Sequence, residues 1–387
     1  MLQVPHPQPA PDIICLSHLR WNFVFQRPQH LMTRFARDRR VFFVEEPIFH
    51  PEIAPRLLIE QVDTVRVVVP HLPEGISAED AIVAQRHLLE QLIEAEGVSK
   101  YVLWYYTPMA LPFTTHLAPV AVVYDCMDEL SAFKGAPSII TARETELMRR
   151  ASLVLTGGQS LFEAKRHLHS NIHPFPSSVD VAHFAQARRI VAEPADQAPI
   201  PHPRLGFFGV IDERMDLALL DAVAAARPDW HLLMVGPVVK IEPESLPRRA
   251  NIHYLGPKGY DELPHYVAGW DVALLPFARN DATRFISPTK TPEYLAAGRP
   301  IVSTSIRDVV RPYGKQGLVR IADDPQAFVQ ACTAAMAEDP VKRITQADAF
   351  LRQTSWDGTW TRIRAQLDEV LRHTDGGRTA AADATAV

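Results

Sequence analysis

The sequence predicts an α/β protein with two doubly wound parallel sheets that face each other across a central cleft. Short apolar runs rich in β-branched and aromatic residues recur along the first half, which is typical of buried strands. Helix-like stretches such as 81–96 and 141–150 separate several of these runs and indicate parallel βαβ units. After a polar, proline-rich segment the same alternation starts again. A chain of 387 residues is long enough for two such domains.

The apolar runs fall into two series with a linker between them. Strands are predicted in the first series at 13–16, 41–44, 65–69, 101–106, 120–124 and 153–156, and in the second at 205–208, 231–235, 252–255, 272–276, 300–303 and 318–321. We therefore predict a first domain at 1–190, a linker at 191–203, a second domain at 204–355, an amphipathic helix at 356–374 and a disordered tail at 375–387.

The composition narrows the class of protein. The formal net charge of −5 gives no reason to expect a nucleic-acid partner. Three scattered cysteines form neither a disulfide framework nor a zinc-type pair, so we expect a reducing, cytoplasmic setting. Residues 1–5 lack the start of a signal peptide, and no apolar run approaches the ~18 residues that cross a bilayer. Any membrane contact is therefore expected to be peripheral.

The strongest site signal is the segment 287–304, SPTKTPEYLAAGRPIVST. Ser287 and Pro288 are predicted to cap and open a helix whose free N–H groups would face a phosphate. Lys290 adds a cation in the first turn, which the helix dipole favours only when an anion is bound there. Glu293, one turn later, is spaced to accept hydrogen bonds from two ribose hydroxyls. The alternative is an ordinary capped helix with Lys290 and Glu293 as an exposed i, i+3 pair.

This segment resembles the nucleotide-sugar-binding segment of group 1 glycosyltransferases, family 4 and its relatives, and the resemblance spreads over most of the chain. Residues 251–257, NIHYLGP, resemble their base-binding loop, and 270–277, WDVALLPF, resemble the strand before their phosphate loop. Residues 179–184 resemble the end of their first domain, and 356–371 resemble the helix that returns to it. The resemblance implies the GT-B architecture, in which two Rossmann-like domains face a central cleft.

The resemblance also implies a donor site. In the family a positive residue after the first strand of the second domain grips the diphosphate, and Arg214 is the match. The alternative for Arg214 is a surface salt bridge with Asp212 or Asp216. Ligands of open parallel sheets bind beyond the carboxyl ends of the strands, where most of these residues lie. The expected donor-binding residues are Gly209, Arg214, Pro257, Lys258, Ser287, Pro288, Thr289, Lys290 and Glu293.

Three positions depart from the family pattern. The family has two glutamates with seven residues between them; Glu293 is the second, and Phe285 stands where the first is expected. The lysine usually found a few residues after Arg214 is missing. Tyr124 and Asp125 replace the histidine that many members carry at the end of a strand in the first domain.

Glycosyl transfer needs a stabilised leaving diphosphate and an acceptor hydroxyl held in line. No Asp-x-Asp motif occurs in the sequence, so we expect no metal site and no cofactor, with the nucleotide-sugar as co-substrate. Arg214, Lys290 and a helix N-terminus would replace the metal. Asp128 is the first candidate for contacting or deprotonating the acceptor and Asp125 the next; the alternative for each is a cap or turn residue. The resemblance implies retention of anomeric configuration, and inversion with Asp128 as base stays open.

The loop after the first strand, residues 17–30, combines aromatic and cationic groups that suit a sugar acceptor or its phosphate. Acceptor contacts are expected from His18, Arg20, Trp21, Gln26 and Arg27. The following helix carries an arginine cluster, which is either a solvated face or a contact with anionic lipid. The cluster consists of Arg34, Arg37, Arg39 and Arg40.

We therefore expect a cytoplasmic glycosyltransferase of polysaccharide biosynthesis, with peripheral contact at the inner face of the membrane as an option. It would move a sugar from a nucleoside-diphosphate sugar, expected to be UDP-linked, to a glycan, a lipid-linked acceptor or a small molecule. Two alternatives stay open. One is a nucleotide-sugar epimerase on the same scaffold; the other is a non-catalytic nucleotide-sugar-binding subunit, motivated by Phe285 and the missing lysine.

Overall fold

The computed structural model describes residues 10–51 and 53–384, with the backbone alone for 375–384. Two largely parallel sheets with helices on their faces confirm the predicted α/β class. The expectation about a signal peptide at residues 1–5 and the last tail residues, 385–387, lie outside the described residues.

The first sheet is formed by the part of the chain before the linker. Its strands are β1 (Asp12–Leu16), β2 (Val41–Val44), β3 (Ile48–His50), β4 (Arg56–Val62), β5 (Val65–Pro73), β6 (Tyr101–Tyr105), β7 (Ala121–Cys126), β8 (Leu153–Thr156) and β9 (Ile172–Pro174). Their order is β3-β5-β2-β1-β6-β7-β8-β9, and β4 pairs with β5 as the antiparallel member. Central strands such as β2 and β8 are buried throughout, as expected for a sheet covered on both faces.

The second sheet repeats this plan. Its strands are β10 (Arg204–Phe208), β11 (His231–Val235), β12 (Ile252–Gly256), β13 (Val272–Leu275), β14 (Ile301–Ser303) and β15 (Arg320–Ile321). They lie in the order β12-β11-β10-β13-β14-β15, and every pair is parallel. The carboxyl ends of the strands therefore meet along one edge of the sheet, where Gly209 and Gly236 follow β10 and β11.

Helices cover both sheets. They are α1 (Arg27–Phe35), α2 (Ala78–Ala95), α3 (Leu111–Thr114), α4 (Ile140–Arg150), α5 (Gln159–Lys165), α6 (Val181–Ala185), α7 (Leu217–Ala226), α8 (Leu263–Ala268), α9 (Lys290–Ala296), α10 (Arg307–Val310), α11 (Pro325–Met336), α12 (Pro340–Leu351) and α13 (Trp356–Ala384). Within the described residues, no helix combines the length and apolarity needed to cross a bilayer.

Three strands of the first sheet are absent from the sequence prediction. β3 and β9 have only three residues each, too few to establish a two-residue period. β4 is an edge strand that pairs only with β5, and most of its side chains are exposed. Its apolar and polar residues therefore do not alternate as they do in a half-buried strand.

Helix α13 returns to the first domain. Trp356, Ile363 and Leu367 are buried in the core beneath the first sheet. The predicted helix ends at 374 and disorder is predicted from 375, but the backbone is helical up to Ala384, so the prediction is wrong for 375–384. The segment 378–384, RTAAADA, is rich in alanine, the strongest helix former, and that propensity outweighs the lack of apolar side chains to bury.

The arginine cluster of α1 and the turn after it is neutralised within the protein. Two of its members bind the first turn of α13, so the ion pairs join the two helices. This arrangement favours a structural role over contact with anionic lipid. The pairs are Arg34 and Arg37 with Asp357, Arg39 with Asp38, and Arg40 with Asp12.

Helix α5 of the first domain is capped by a residue of the second. The Asp308 carboxylate accepts hydrogen bonds from the backbone N–H of Ser160 at 3.0 and 3.2 Å. Gly158, just before α5, lies so close that an added Cβ would be 2.3 Å from Asp308 Oδ2 and 2.9 Å from Ser287 Cβ. The two domains therefore touch at this point through a glycine and a buried carboxylate.

We expect Gly158→Ala to lower the free energy of unfolding by about 1–3 kcal/mol, because the methyl group has no room between the domains. Urea denaturation measures the change. Asp308→Ala removes the cap without adding bulk and is expected to cost about 1 kcal/mol. A Gly158→Ala protein as stable as the wild type would contradict the close contact.

Candidate functional site

Two glycines and a lysine meet at the strand ends of the second sheet. Gly209 and Gly236 have φ values of +131° and +143°. A Cβ on Gly236 would lie 2.0 Å from the carbonyl oxygen of Gly209, and a Cβ on Gly209 would lie 2.1 Å from Lys290 Cε. Glycine is required at both positions, because a larger residue would be strained and would collide. Lys290 thus lies directly against the end of β10.

A cavity of about 400 Å³ opens at this place, between the two domains. Its volume falls within the usual range for small-molecule sites, about 300–1,000 Å³. Residues 21–26 line it from the first domain, and the loops after β10, β11 and β12 line it from the second. The residues it shares with the sequence prediction are Gly209, Arg214, Pro257, Lys258, Thr289, Lys290, Glu293, Trp21 and Gln26.

Lys290 and Glu293 both line this cavity, and their charges interact without a direct ion pair among the described residues. Burial raises the pKa of the Glu293 carboxyl despite the nearby Lys290 cation. Burial also lowers the pKa of Lys290, and the charge of Arg214 lowers it further. Among the described residues, Glu293 Oε2 has no hydrogen-bond partner although it is buried. A buried acceptor without a partner is costly, so the pair is poised for a ligand that supplies hydrogen-bond donors.

Arg214 is held by a neighbouring carboxylate and still lines the cavity. Asp212 accepts from Arg214 Nε at 2.9 Å and from Nη2 at 2.7 Å. The salt bridge that the sequence analysis gives as an alternative is therefore present, and it orients the guanidinium. Arg214 Nη1 makes no hydrogen bond to the part of the chain that is described. The guanidinium also stacks on Phe133 of the first domain, 5.5 Å from the ring centre.

Asp128 is not among the residues that line the cavity, but its charge interacts with those of Arg214 and Lys290. It follows β7 and is partly buried. Burial raises the pKa of its carboxyl, and the charges of Arg214 and Arg27 oppose that rise. The contact of Asp128 with an acceptor stays a prediction.

Comparisons with known proteins agree with this geometry. Residues 202–338 match the sequence profile of the family described as Glycosyl transferases group 1. The second domain is a group 1 glycosyltransferase domain. The chain is also 25% identical over 276 residues to TuaH of Bacillus subtilis, which is described as a glycosyltransferase of teichuronic acid biosynthesis. That match covers 65% of this chain and 68% of TuaH.

Solved structures establish that this glycosyltransferase has the GT-B fold. Sucrose-phosphate synthase of Thermosynechococcus elongatus superposes with a TM-score of 0.71 at 13% identity, over 94% of this chain and 100% of that one. HepE of Anabaena, in complex with UDP and glucose, gives a TM-score of 0.64 at 15% identity, over 92% and 99%. An E. coli trehalose-6-phosphate structure with bound UDP-2-fluoro glucose gives 0.69 at 11% identity, over 93% and 99%.

The predicted helix start of the glycosyltransferase domain is wrong. Helix α9 begins at Lys290, with Thr289 as its N-cap and no side-chain cap. Ser287 lines a second cavity instead of the cleft. The Pro288 carbonyl accepts a hydrogen bond from the Thr291 N–H at 3.3 Å, so Pro288 lies in a turn just before the helix. Pro292 explains the shift, since proline is tolerated only in the first turn of a helix.

Arg27 and Asp125 form an internal ion pair rather than part of the site. Both are fully buried, with Arg27 Nη2 at 2.8 Å from Asp125 Oδ1 and Nε at 3.0 Å from both carboxylate oxygens. Arg27 Nη1 also donates to the Phe175 carbonyl at 2.7 Å. This corrects two expectations, the acceptor role of Arg27 and the catalytic role of Asp125. Arg27 is 1% exposed and does not line the cleft, so an acceptor cannot reach its guanidinium.

The remaining acceptor candidates divide between two places. Trp21 and Gln26 line the cleft. Arg20 lines a neighbouring cavity of about 340 Å³, where it binds Glu45 at 3.0 Å. His18, two residues beyond β1, is partly buried, and burial together with the charge of Lys240 lowers its pKa to about 4. His18 is therefore neutral at physiological pH.

We expect His18 to make stability pH-dependent. Its pKa in the folded state, about 4, lies below its ordinary value, so the unfolded chain binds the extra proton between about pH 4 and 6.5. The free energy of unfolding should rise with pH across this window, by up to about 3 kcal/mol. Urea denaturation at pH 4.5 and 7 should show a smaller rise in His18→Gln; an equal rise in both proteins would contradict the assignment.

Several residues of the cleft escaped the sequence analysis. Tyr260 lines the cavity and packs on Phe25 of the first domain at 4.7 Å between ring centres. Lys240 lies over the same Phe133 ring as Arg214, at 5.1 Å, and has an unusual φ of +61°. Tyr260 follows the predicted base-binding loop closely enough to have been found there. Lys240 carries no such signal, because only the fold brings its loop to the first domain.

Phe285 has a structural explanation. It packs against the core of the first domain and is absent from the cleft lining. The position of the family's first glutamate thus serves here as an interdomain apolar contact.

Proposed function

We propose that this glycosyltransferase transfers a sugar from a UDP-linked donor to a glycan, lipid-linked or small-molecule acceptor, without a metal ion and with retention of anomeric configuration. The buried Glu293 carboxyl with its unpartnered Oε2, one helical turn from the Lys290 cation at the end of β10, is the observation that carries the proposal. HepE and the E. coli structure, which share the fold, contain UDP with glucose and UDP-2-fluoro glucose, respectively. The description of TuaH supports polysaccharide biosynthesis as the context.

The described geometry fits the charges of the reaction. The bond between the anomeric carbon and a diphosphate oxygen breaks, and the diphosphate leaves with the electron pair. Lys290 and Arg214 would stabilise that negative charge, as preorganised cations do most effectively away from water. The Glu293 carboxylate would accept hydrogen bonds from ribose hydroxyls.

The acceptor oxygen forms the new bond to the anomeric carbon and loses its proton. In the proposed retaining reaction the leaving diphosphate takes the proton, and Asp128 holds and orients the acceptor. Trp21 and Gln26 would contact the acceptor from the same side of the cleft. We further propose that the protein works in the cytoplasm, with any membrane contact made through a lipid-linked acceptor.

Calorimetric titration in the presence of EDTA tests the donor site. UDP, GDP and ADP and their glucose conjugates are titrated into the wild type, Glu293→Gln and Glu146→Gln, an exposed control on α4. We expect one base to bind, with affinity reduced at least tenfold in Glu293→Gln alone, about the loss of one charged hydrogen bond. Absence of binding by every nucleotide, or equal affinity in Glu293→Gln, would refute the site.

Turnover separates the remaining alternatives. Release of nucleotide that requires an added acceptor supports transfer, and its persistence in EDTA supports metal independence. Interconversion of the donor sugar without an acceptor would indicate an epimerase, and donor binding without any turnover would indicate a binding subunit.

A further inference from the structure

A second cavity, which we call the hinge cavity, lies outside the cleft. Its volume is about 720 Å³, and it shares no lining residue with the cleft cavity. Residues 176–178 after β9 form its wall on the first domain, residues 308–316 form its wall on the second, and helices α12 and α13 close it. Ser287 belongs to its wall, whereas Thr289 and Lys290 of the same segment line the cleft. The segment therefore separates two distinct cavities.

The lining of the hinge cavity is rich in hydroxyl and amide groups. Two aromatic rings, Tyr313 and Phe350, lie among them with 5.0 Å between their centres. Hydroxyls and amides can both donate and accept, and an aromatic face offers an apolar surface beside them. A sugar has the matching chemistry, with hydroxyls around a ring that has apolar C–H faces. The principal polar residues are Ser177, Ser178, Ser287, Gln353, Thr354 and Thr359.

One of these hydroxyls needs a partner. Ser178 is 1% exposed, and its Oγ has no hydrogen-bond partner among the described residues. A buried hydroxyl without a hydrogen bond is unfavourable by about 1–3 kcal/mol. A ligand hydroxyl in the hinge cavity would satisfy it, so the unpaired group points to an occupant.

Two guanidinium groups in the wall of the hinge cavity have donors available for an anion. Arg311 binds Glu163 through Nη1 alone, at 2.7 and 2.9 Å, which leaves its Nε and Nη2 donors available. Arg362 forms no ion pair with the described residues and only stacks on Phe175. The carboxylate in the lining, Asp308, accepts hydrogen bonds from the Ser160 N–H, which hold it at the start of α5. Guanidinium groups bind phosphate and carboxylate well.

We propose that the hinge cavity is a second carbohydrate site, which binds a saccharide carrying a phosphate or carboxylate group. Its hydroxyl and amide residues hold the sugar, and Arg311 and Arg362 hold the anion. The site is separate from the donor cleft and does not depend on the donor assignment.

Titration of the full chain with glucose 6-phosphate, glucuronate, glucose and inorganic phosphate tests the proposal. We expect one or both anionic sugars to bind, and a response to one alone identifies the anion. Arg362→Ala should weaken this binding at least tenfold, and Gln353→Trp, at an exposed position of the wall, should abolish it by filling the cavity. Arg372→Ala on the same helix and Lys290→Ala in the cleft should leave it unchanged.

Four results would overturn the proposal. They are no binding of either anionic sugar, inorganic phosphate binding as tightly as glucose 6-phosphate, glucose binding as tightly as the anionic sugars, and loss of binding in Lys290→Ala. Thermal unfolding midpoints of Arg362→Ala and Gln353→Trp confirm that both variants fold. Because Lys290→Ala reports on the cleft and Arg362→Ala on the hinge cavity, failure of one site is distinguishable from failure of the other.

Discussion

Replacing Lys290 with alanine is expected to lower kcat/KM for the nucleotide-sugar by about 10²–10³-fold, the usual cost of removing one group that stabilises developing charge. The lysine lies against the strand end at Gly209, and the Arg214 guanidinium is near enough to lower its pKa. Both cations would face the leaving diphosphate, so its charge would be half-neutralised in the variant. Initial rates of nucleotide release at subsaturating donor measure the effect.

Two controls keep this result interpretable. Lys342→Ala removes an exposed lysine of α12 and should leave kcat/KM unchanged. The thermal unfolding midpoint should show that Lys290→Ala remains folded, because Glu293 can become protonated once its partner is gone. A folded Lys290→Ala protein with more than half of the wild-type kcat/KM would remove Lys290 from the mechanism.

Asp125→Ala is expected to lower the free energy of unfolding by about 3–5 kcal/mol. The change leaves the fully buried Arg27 guanidinium without its counter-charge, and a buried unpaired charge is among the most destabilising defects. Urea denaturation followed by circular dichroism measures the loss. Asp128→Ala, three residues away, is the matched comparison and should change stability by less than about 1 kcal/mol while reducing transfer activity.

The double variant Arg27→Met, Asp125→Leu tests whether the unpaired Arg27 charge causes the loss of stability in Asp125→Ala. Removing both charges leaves none unpaired, so most of the stability lost in Asp125→Ala should return. If Asp125→Ala proved as stable as Asp128→Ala, the structural role of the ion pair would be wrong, and Asp125 would again be a candidate for catalysis.

The fold could be predicted because its signal is local. Runs such as the VFFV of β2 are buried on both faces, so nearly every residue is apolar and the strand is visible in the sequence. Edge strands lack that signal: β4 has exposed side chains on both faces and escaped prediction. The start of α9 was misjudged although Pro292 already limited where the helix could begin, since Ser287-Pro288 gave a stronger but misleading cap pattern.

The parts of the site that lie close together in the sequence were predictable. Contacts between residues that are distant in the sequence were not. Lys290 and Glu293 share a helical turn, so their spacing alone indicated that they act together. Arg27 and Asp125 lie 98 residues apart, and each looked like a cleft residue on its own. Only the fold shows that they neutralise each other. The same holds for Phe133 and Lys240, which meet across the two domains.

The return of α13 has a mechanical consequence. The chain passes between the domains twice, first between Phe175 in the core of the first domain and Val179 in the core of the second, and again just before Trp356. The predicted boundary at 190 is therefore wrong, because α6 and residues 191–203 pack on the second domain. The two crossings define a line, which is a natural axis for rotation of one domain relative to the other. Rotation about the line through both crossings separates the halves without stretching either connection. We expect opening for substrate entry and closing for reaction to use this rotation.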